Sequence, residues 1–158
     1  MDYLYSNRRD YFNRDKSLPN CAFCDALAMP DDFNNLVIHR GEENFVILNK
    51  YPYTSGHMMV VPMMHTCHME DLSTSALTEM MLLARRAMAT LERVYQAQGF
   101  NVGLNIGAAG GAGIAEHLHL HVVPRWQRDT NFITVLGQAR VLPESLEDSY
   151  NQIKKAWK

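Results

Sequence analysis

The sequence lacks the features that mark membrane and nucleic-acid-binding proteins. No apolar run approaches the roughly 18 residues that a membrane-spanning helix needs. The 15 basic residues are balanced by 17 acidic ones, for a net charge of −2, and basic residues cluster only in pairs such as Arg85-Arg86. Proteins that bind the phosphate backbone of nucleic acids carry a basic stripe. We therefore expect neither a membrane nor a nucleic-acid partner.

Cysteine is also scarce, with three residues in the chain. Three cysteines, two of them in the Cys-x-x-Cys of Cys21 and Cys24, do not fit a disulfide scaffold. The first nine residues contain no apolar stretch typical of a secretory signal peptide. These features together predict a cytoplasmic protein.

A chain of 158 residues is long enough for one domain with its own core. The sequence shows no internal repeat and no linker. We therefore expect a single domain over residues 1–158, with an N-terminal extension at 1–20 and a C-terminal extension at 127–158. Residues 1–20 are predicted to form a helix that packs on the body of the domain.

The hydrophobic pattern predicts an α+β fold. A broad apolar stripe indicates a long helix over residues 73–98, with Ser73 or Ser75 as its N-cap and Gly99 as its stop. A second helix has Pro143 in its first turn. Short apolar segments predict strands at 36–39, 45–48, 58–61 and 100–106. With the histidine segment described next, these make an antiparallel sheet of about five strands.

Residues 117–123 read His-Leu-His-Leu-His-Val-Val. Successive side chains of a strand point to opposite faces. The imidazoles of His117, His119 and His121 should therefore share one face, while the apolar residues between them point into the core.

A glycine-rich loop at residues 107–113 precedes this histidine row and suits a bound phosphate. The imidazole of His119 can attack phosphorus as a nucleophile, and a neighbouring histidine can donate a proton to the leaving oxygen. A catalytic metal held by histidines two residues apart is the alternative. The nucleophile is favoured because no carboxylate follows His121 closely.

A second cluster of soft ligands is formed by Cys21, Cys24 and the His65-Thr66-Cys67-His68 segment. Thiolates and imidazoles at this spacing suit zinc. From the residues alone the remaining ligands are His65 or His68, together with His117. A metal-free thiol pair is the alternative.

The histidine row, Asn49, Asn105 and the segment from Gly56-His57 through Pro62 to His65 resemble the histidine triad (HIT) superfamily. Its members are nucleotide hydrolases and transferases with an α+β fold. The resemblance covers about residues 20–126. The sequences at 124–126, 129–132 and 140–144 are similar to the bacterial branch of diadenosine tetraphosphate phosphorylases and hydrolases.

This resemblance implies a catalytic mechanism. His119 would form a nucleotidyl-histidine at the α-phosphate of a mono- or dinucleoside polyphosphate, with His121 and His57 as supporting histidines. Adenine nucleotides are the implied substrates. Two alternatives stay open: a nucleoside phosphoramidate hydrolase that uses the same residues, and a nucleotide-binding or sensing module with vestigial activity.

The resemblance also implies a nucleotide-binding set. Asn49 would contact the ribose, and Asn105 and the backbone at Gly111 and Gly113 the phosphates. For Trp126 two interpretations stay open: stacking on the adenine or on an adjacent subunit, and a buried anchor. Many relatives carry Ser or Gln just before the triad, where this chain has residues 112–116, Ala-Gly-Ile-Ala-Glu. This departure leaves both water and inorganic phosphate as candidate acceptors.

The implied cofactor is structural zinc, with no organic cofactor. The zinc-containing members of the superfamily match this chain at Cys21, Cys24, His65 and His117, which favours His65 over His68. Superfamily members are typically homodimers with a sheet that continues across the pair, and we expect the same here.

Overall fold

The computed structural model describes residues 4–5, 21–129 and 141–158. Within these residues the elements are β1 (Leu4–Tyr5), α1 (Ala22–Ala28), β2 (Val37–Arg40), β3 (Asn44–Leu48), β4 (Met58–Pro62), α2 (Thr74–Tyr95), β5 (Gly99–Leu104), β6 (Leu120–Arg125), β7 (Val141–Leu142) and α3 (Leu146–Ala156), with short 3₁₀ turns at Met69–Asp71 and Ala108–Gly110. Five strands form an antiparallel sheet in the order β2-β3-β4-β6-β5, and β1 pairs with β7. The α+β fold with a long helix and a C-terminal helix is confirmed.

The five-stranded sheet has an apolar cluster on each face. Side chains alternate along the buried central strands, so that Val46 and Val60 point to one face and Phe45 and Val61 to the other. Helices α2 and α3 cover the first face, and α1 packs on the second through Phe23. Burial on both faces makes the central strands nearly continuous apolar runs.

The histidine row alternates as predicted, although β6 starts later than the row. The apolar residues between the histidines are buried under α2. β6 begins only at Leu120, because the N–H of Leu118 donates to the carbonyl of Thr66 at 2.8 Å, outside the sheet. His121 therefore lies within β6, and the other two histidines precede it.

Helix α2 begins as predicted and ends earlier. The Ser73 hydroxyl accepts a hydrogen bond from the N–H of Ala76 at 3.0 Å, which makes Ser73 the N-cap. The C-cap is Gln96, in the left-handed conformation at φ 51°. The predicted stop at Gly99 is wrong, because Gly99 already pairs with Arg125 as the first residue of β5.

The start of α3 also differs from the prediction. The Ser145 side chain accepts a hydrogen bond from the N–H of Asp148 at 3.0 Å and caps the helix, which begins at Leu146. Pro143 therefore precedes the helix and is not in its first turn. A hydroxyl that satisfies a free N–H marks the start more strongly than proline does.

The prediction of a helix at residues 1–20 is wrong for residues 4–5, because Leu4–Tyr5 forms strand β1, which pairs with β7. The rest of that prediction, at residues 1–3 and 6–20, lies outside the described residues, as do residues 130–132 and 140 of the family resemblance. Across the described part of the chain, no helix is long and apolar enough to cross a membrane.

Candidate active site and metal cluster

His57 and His121 meet where β4 begins beside β6. His121 pairs with Met59 in the sheet, and Nε2 of His57 lies 2.9 Å from Nδ1 of His121. Gly56 permits this approach, because its φ is 77° and a Cβ there would lie 2.6 Å from the Leu91 side chain. The Gly-His pair of the sequence is therefore the turn that delivers His57 to the histidine face.

A backbone N–H determines which nitrogen of His57 carries the proton. The N–H of Tyr53 donates to Nδ1 of His57 at 3.1 Å, so that Nδ1 must be unprotonated. A neutral imidazole has one ring proton, which therefore sits on Nε2 and is donated to Nδ1 of His121. His121 in turn carries its own proton on Nε2. The carboxamide of Asn49 also reaches Nδ1 of His57, at 3.3 Å.

A backbone carbonyl determines in the same way which ring nitrogen of His119 carries the proton. Nδ1 of His119 lies 2.8 Å from the carbonyl oxygen of His117. A carbonyl only accepts, so Nδ1 carries the proton and Nε2 presents its lone pair. The ring of His119 stands edge-on to that of His121, with their centroids 4.8 Å apart. A nucleophilic nitrogen and a protonated nitrogen thus come from adjacent rings.

Burial favours the neutral forms of His119 and His121. It lowers the pKa of His119, and together with the neighbouring His119 it lowers the pKa of His121 to about 4. At neutral pH Nε2 of His119 is therefore unprotonated. Nucleophilic attack requires that state.

The second cluster brings together Cys21, Cys24, His65 and His117, whose ligand atoms all lie within 4.8 Å of one another. Nδ1 of His117 is 3.3 Å from Cys21 Sγ and 3.3 Å from Nδ1 of His65. The corresponding edges of a tetrahedral zinc site are about 3.5 Å. His117 donates from Nε2 to the carbonyl of Pro62 at 2.8 Å, which leaves Nδ1 as a ligand. The cluster can hold a metal ion.

Phe23 connects the two clusters. It lies between Cys21 and Cys24 in sequence, and its ring is 5.5 Å from that of His117 and 5.1 Å from that of His119. Burial, followed by the nearby Cys21 thiol, raises the pKa of the Cys24 thiol. Helix α1 therefore presents its thiols to one end of the histidine row and an aromatic ring to the middle.

The glycine-rich loop runs over the histidine face of the sheet. Asn105 is half-buried after β5, and the segment that includes Gly111 and Gly113 is largely exposed. Gly111 has a φ of 85°, which favours glycine. Ile114 packs against the apolar cluster that contains Phe23, so the loop is anchored on the same face as His119.

Trp126 is not brought to the histidine cluster. It follows β6, and its indole N–H donates to the carbonyl of Tyr95 at the end of α2, at 3.0 Å. It lines a cavity of about 400 Å³ together with Thr54, Ser55 and Glu144. Its role in nucleotide binding stays a prediction, and the contact found is that of an anchor.

Sequence reasoning missed Tyr53 and Phe23. Tyr53 acts through its backbone N–H and through its ring, which lies 4.6 Å from His57 and 6.0 Å from His121. The only available signals were that Tyr53 precedes the Gly-His turn and that Phe23 lies between two cysteines. Neither position indicates a contact with a histidine far away in sequence.

The HIT domain family matches residues 32–128, and the chain belongs to this family. The match includes His57 and the histidine row. It begins after Cys21 and Cys24, so the thiol half of the metal cluster lies outside it.

Three relatives illustrate the similarity. AP-4-A phosphorylase of Mycobacterium tuberculosis is 43% identical over 126 residues, which are 80% of this chain and 65% of that protein. The asymmetrical bis(5'-nucleosyl)-tetraphosphatase of Schizosaccharomyces pombe is 29% identical over 93 residues, which are 59% of this chain and 50% of that protein. The chain thus spans between half and two thirds of these curated relatives. The crystal structure of a Zn-bound histidine triad family protein from Mycobacterium smegmatis superposes with a TM-score of 0.70 at 26% identity, covering 87% of this chain and 93% of that one.

Proposed function

We propose that this protein cleaves dinucleoside polyphosphates at the α-phosphate through a covalent nucleotidyl-histidine at His119. The observation that carries the proposal is the proton arrangement on adjacent rings. His119 presents an unprotonated Nε2, and His121 presents a protonated Nε2 beside it. The names of the phosphorylase and tetraphosphatase relatives support a diadenosine tetraphosphate substrate.

In the first step, Nε2 of His119 attacks the α-phosphorus. The N–P bond forms as the bond to the bridging oxygen breaks, and that oxygen leaves with the electron pair. It accepts a hydrogen bond from Nε2–H of His121, which stabilises the charge that develops. The His119 ring keeps its proton on Nδ1, and the resulting positive charge faces the carbonyl of His117.

In the second step, an acceptor oxygen attacks the same phosphorus, the N–P bond breaks, and the electron pair returns to Nε2 of His119. Water as acceptor must lose a proton to solvent and gives AMP. A phosphate dianion can attack without losing a proton and gives ADP. We favour phosphate because the phosphorylase relative is 43% identical.

Product analysis tests the proposal. Diadenosine tetraphosphate is incubated with the protein, with and without inorganic phosphate, and the products are separated by chromatography. ADP and ATP formed only with phosphate identify a phosphorylase, whereas AMP and ATP formed in water identify a hydrolase. Turnover of an adenosine phosphoramidate alone would favour the phosphoramidate alternative. No turnover of any of these substrates would favour a sensing module.

We further propose that Cys21, Cys24, His65 and His117 hold one structural zinc ion. The donor set fits, because two sulfur and two imidazole ligands complete a tetrahedron and leave no position for substrate. Zinc bound there would tie α1 to the segment that leads into His119. Elemental analysis of the purified protein checks this, with about one zinc per chain expected.

We also propose that the homodimer expected for this family forms through β5. At the other sheet edge, the carbonyl of Ile38 in β2 accepts from Nζ of Lys154 at 2.9 Å, so α3 covers that edge. β5 is the opposite edge, with Val102 exposed at its centre. Exposed strand edges readily pair with a second chain. The Val102→Lys variant should sediment as a monomer and a control Thr78→Lys variant as a dimer; equal sedimentation of the two as dimers would place the contact elsewhere.

The single-domain organisation with two extensions and the cytoplasmic location stay proposals. Limited proteolysis that releases no stable fragment from within residues 21–126 would support the first. Fractionation of cells that express the protein would test the second.

A further inference from the structure

The carboxamide of Asn49 lies against His57 on the Nδ1 side of its ring. Its orientation is fixed by the backbone, because the N–H of Tyr51 donates to Oδ1 of Asn49 at 2.9 Å. An N–H only donates, so the oxygen must face Tyr51. The amide nitrogen Nδ2 is therefore the atom that lies 3.3 Å from Nδ1 of His57.

Two donors thus converge on one nitrogen of His57. The N–H of Tyr53 reaches Nδ1 from 3.1 Å and Nδ2–H of Asn49 from 3.3 Å. A proton on Nδ1 would face both of them and lose both hydrogen bonds. Because His57 is fully buried, water cannot replace those bonds, and an unsatisfied buried group is costly. The two contacts therefore select the state in which Nε2 carries the proton.

We propose that Asn49 is a positioning residue that, together with the N–H of Tyr53, sets the protonated nitrogen of His57. Through the 2.9 Å contact from His57 to His121 it also sets the nitrogen of His121 that faces the substrate. The resemblance to the family implied a ribose contact for Asn49. The structure assigns it a second role that needs no ligand. The kinetic part of this role rests on the proposed function, whereas the proton arrangement does not.

Replacing the amide group of Asn49 with a carboxylate should reverse which ring nitrogen of His57 carries the proton. In the Asn49→Asp variant a carboxylate oxygen replaces Nδ2 and accepts a proton, which favours protonation of His57 at Nδ1. Nε2 of His57 then faces Nδ1 of His121 as a lone pair, and the proton of His121 moves to that side. His121 would present an unprotonated nitrogen to the leaving oxygen. The Asn49→Ala variant removes one donor but keeps Tyr53 N–H, so its effect should be smaller.

The test measures the proton positions directly, without substrate. Long-range ¹H–¹⁵N spectra of the zinc-loaded protein distinguish a protonated from an unprotonated ring nitrogen. Wild-type protein should show His57 protonated at Nε2 only, and Asn49→Asp should show a proton at Nδ1. The control is Asn151→Asp, the same charge change at an exposed position of α3, which should match wild type. An unchanged His57 pattern in Asn49→Asp overturns the proposal.

Kinetics with diadenosine tetraphosphate separate positioning from ribose binding. Positioning predicts that kcat falls about tenfold or more in Asn49→Asp and less in Asn49→Ala, with KM changed less than about threefold. A rise in KM at constant kcat, lost when a 2′-deoxy substrate is used, would show a ribose contact alone and overturn the positioning role. If wild-type protein does not turn over this substrate, the proposed function fails, and the spectra still decide the role of Asn49.

Discussion

The two side-chain clusters on the histidine face differ in what holds them in place. In the cluster of His57, His119 and His121, backbone groups fix the outer rings: the N–H of Tyr53 on His57 and the carbonyl of His117 on His119. All three rings are buried. This cluster has its proton arrangement and its geometry before any ligand arrives.

The metal cluster is organised differently. His117 is buried and anchored to the carbonyl of Pro62, but His65 is exposed and Cys24 only half-buried. Their described polar contacts are with members of the same cluster: 3.3 Å between Cys24 Sγ and Nδ1 of His65, and 3.3 Å between Nδ1 of His65 and Nδ1 of His117. One cluster is thus held by the fold, whereas the outer ligands of the other would be held by the proposed zinc ion. Catalysis and stability should therefore be separable.

The largest expected effect is on turnover. His119→Ala removes the nitrogen that forms the covalent bond and should lower kcat by about 10³-fold or more. Nucleotide binding and thermal stability should change little, because the ring of His119 is not among the proposed metal ligands. Added imidazole should partly restore a His119→Gly variant.

The matched control for this variant is His68→Ala, an exposed histidine that the sequence left as a possible ligand. Its turnover should equal that of wild type. Normal turnover in His119→Ala would show that His119 is not the nucleophile and would favour the catalytic-metal alternative.

The next effect is on stability. Cys21→Ser removes a zinc ligand and should lower the melting temperature by roughly 10 °C, since metal binding contributes directly to the stability of the folded state. Chelation of wild-type protein should reproduce the loss. Activity should fall less than in His119→Ala, through displacement of His117 and the row that follows it.

Cys67→Ser is the control, because this half-buried thiol lies outside the cluster. It should retain about one zinc per chain. Loss of zinc from His68→Ala with retention in Cys21→Ser would show that the ligand set is wrong.

The alternation that puts three imidazoles on one face and leucine and valine in the core could be predicted from the sequence, because it needs only the period of a strand. The family resemblance predicted that His57 and His121 would lie near each other around the phosphate, but not that they would contact each other directly. The proton arrangement could not be predicted, since it depends on the Asn49 side chain and on main-chain groups of Tyr53 and His117, and no sequence pattern marks these contacts. The end of α2 at Gln96 was missed for a related reason: pairing of Gly99 with β6 overrides the local signal of a glycine.

A smaller effect should appear where the two clusters touch. Phe23→Leu shortens the side chain between His117 and His119 and should cost about 1 kcal/mol of stability. It should also lower both kcat and the zinc affinity, because the same ring contacts both histidines. Phe33→Leu, at a 41% exposed position, is the control and should change neither. A Phe23 variant that affects one cluster alone would show that they are independent.

The last effect is a pH dependence of stability. The folded pKa of His121, about 4, is below its ordinary value of 6.5, so between these values the unfolded chain binds more protons. The stability contributed by His121 is therefore present above pH 6.5 and is lost as the pH falls toward 4. Denaturant unfolding at pH 7.5 and 4.5 should show a smaller loss in His121→Gln than in wild type. Protonation of the metal ligands lowers the stability of both proteins alike. An equal loss of stability in His121→Gln and wild type would therefore contradict the burial of His121 as a neutral ring.

The central claim is that the α-phosphate is transferred in two displacements through His119. A diadenosine tetraphosphate with a chiral thiophosphate at the attacked α-position tests it directly, because each in-line displacement inverts the configuration at phosphorus. Two displacements predict retention of configuration, which the ADP α-thiophosphate formed with phosphate as the acceptor reports directly. With water as the acceptor the reaction is run in ¹⁸O-labelled water, because the AMP thiophosphate formed in ordinary water has two equivalent oxygens and no configuration at phosphorus. Inversion would mean a single direct attack by the acceptor and would contradict a covalent intermediate on His119.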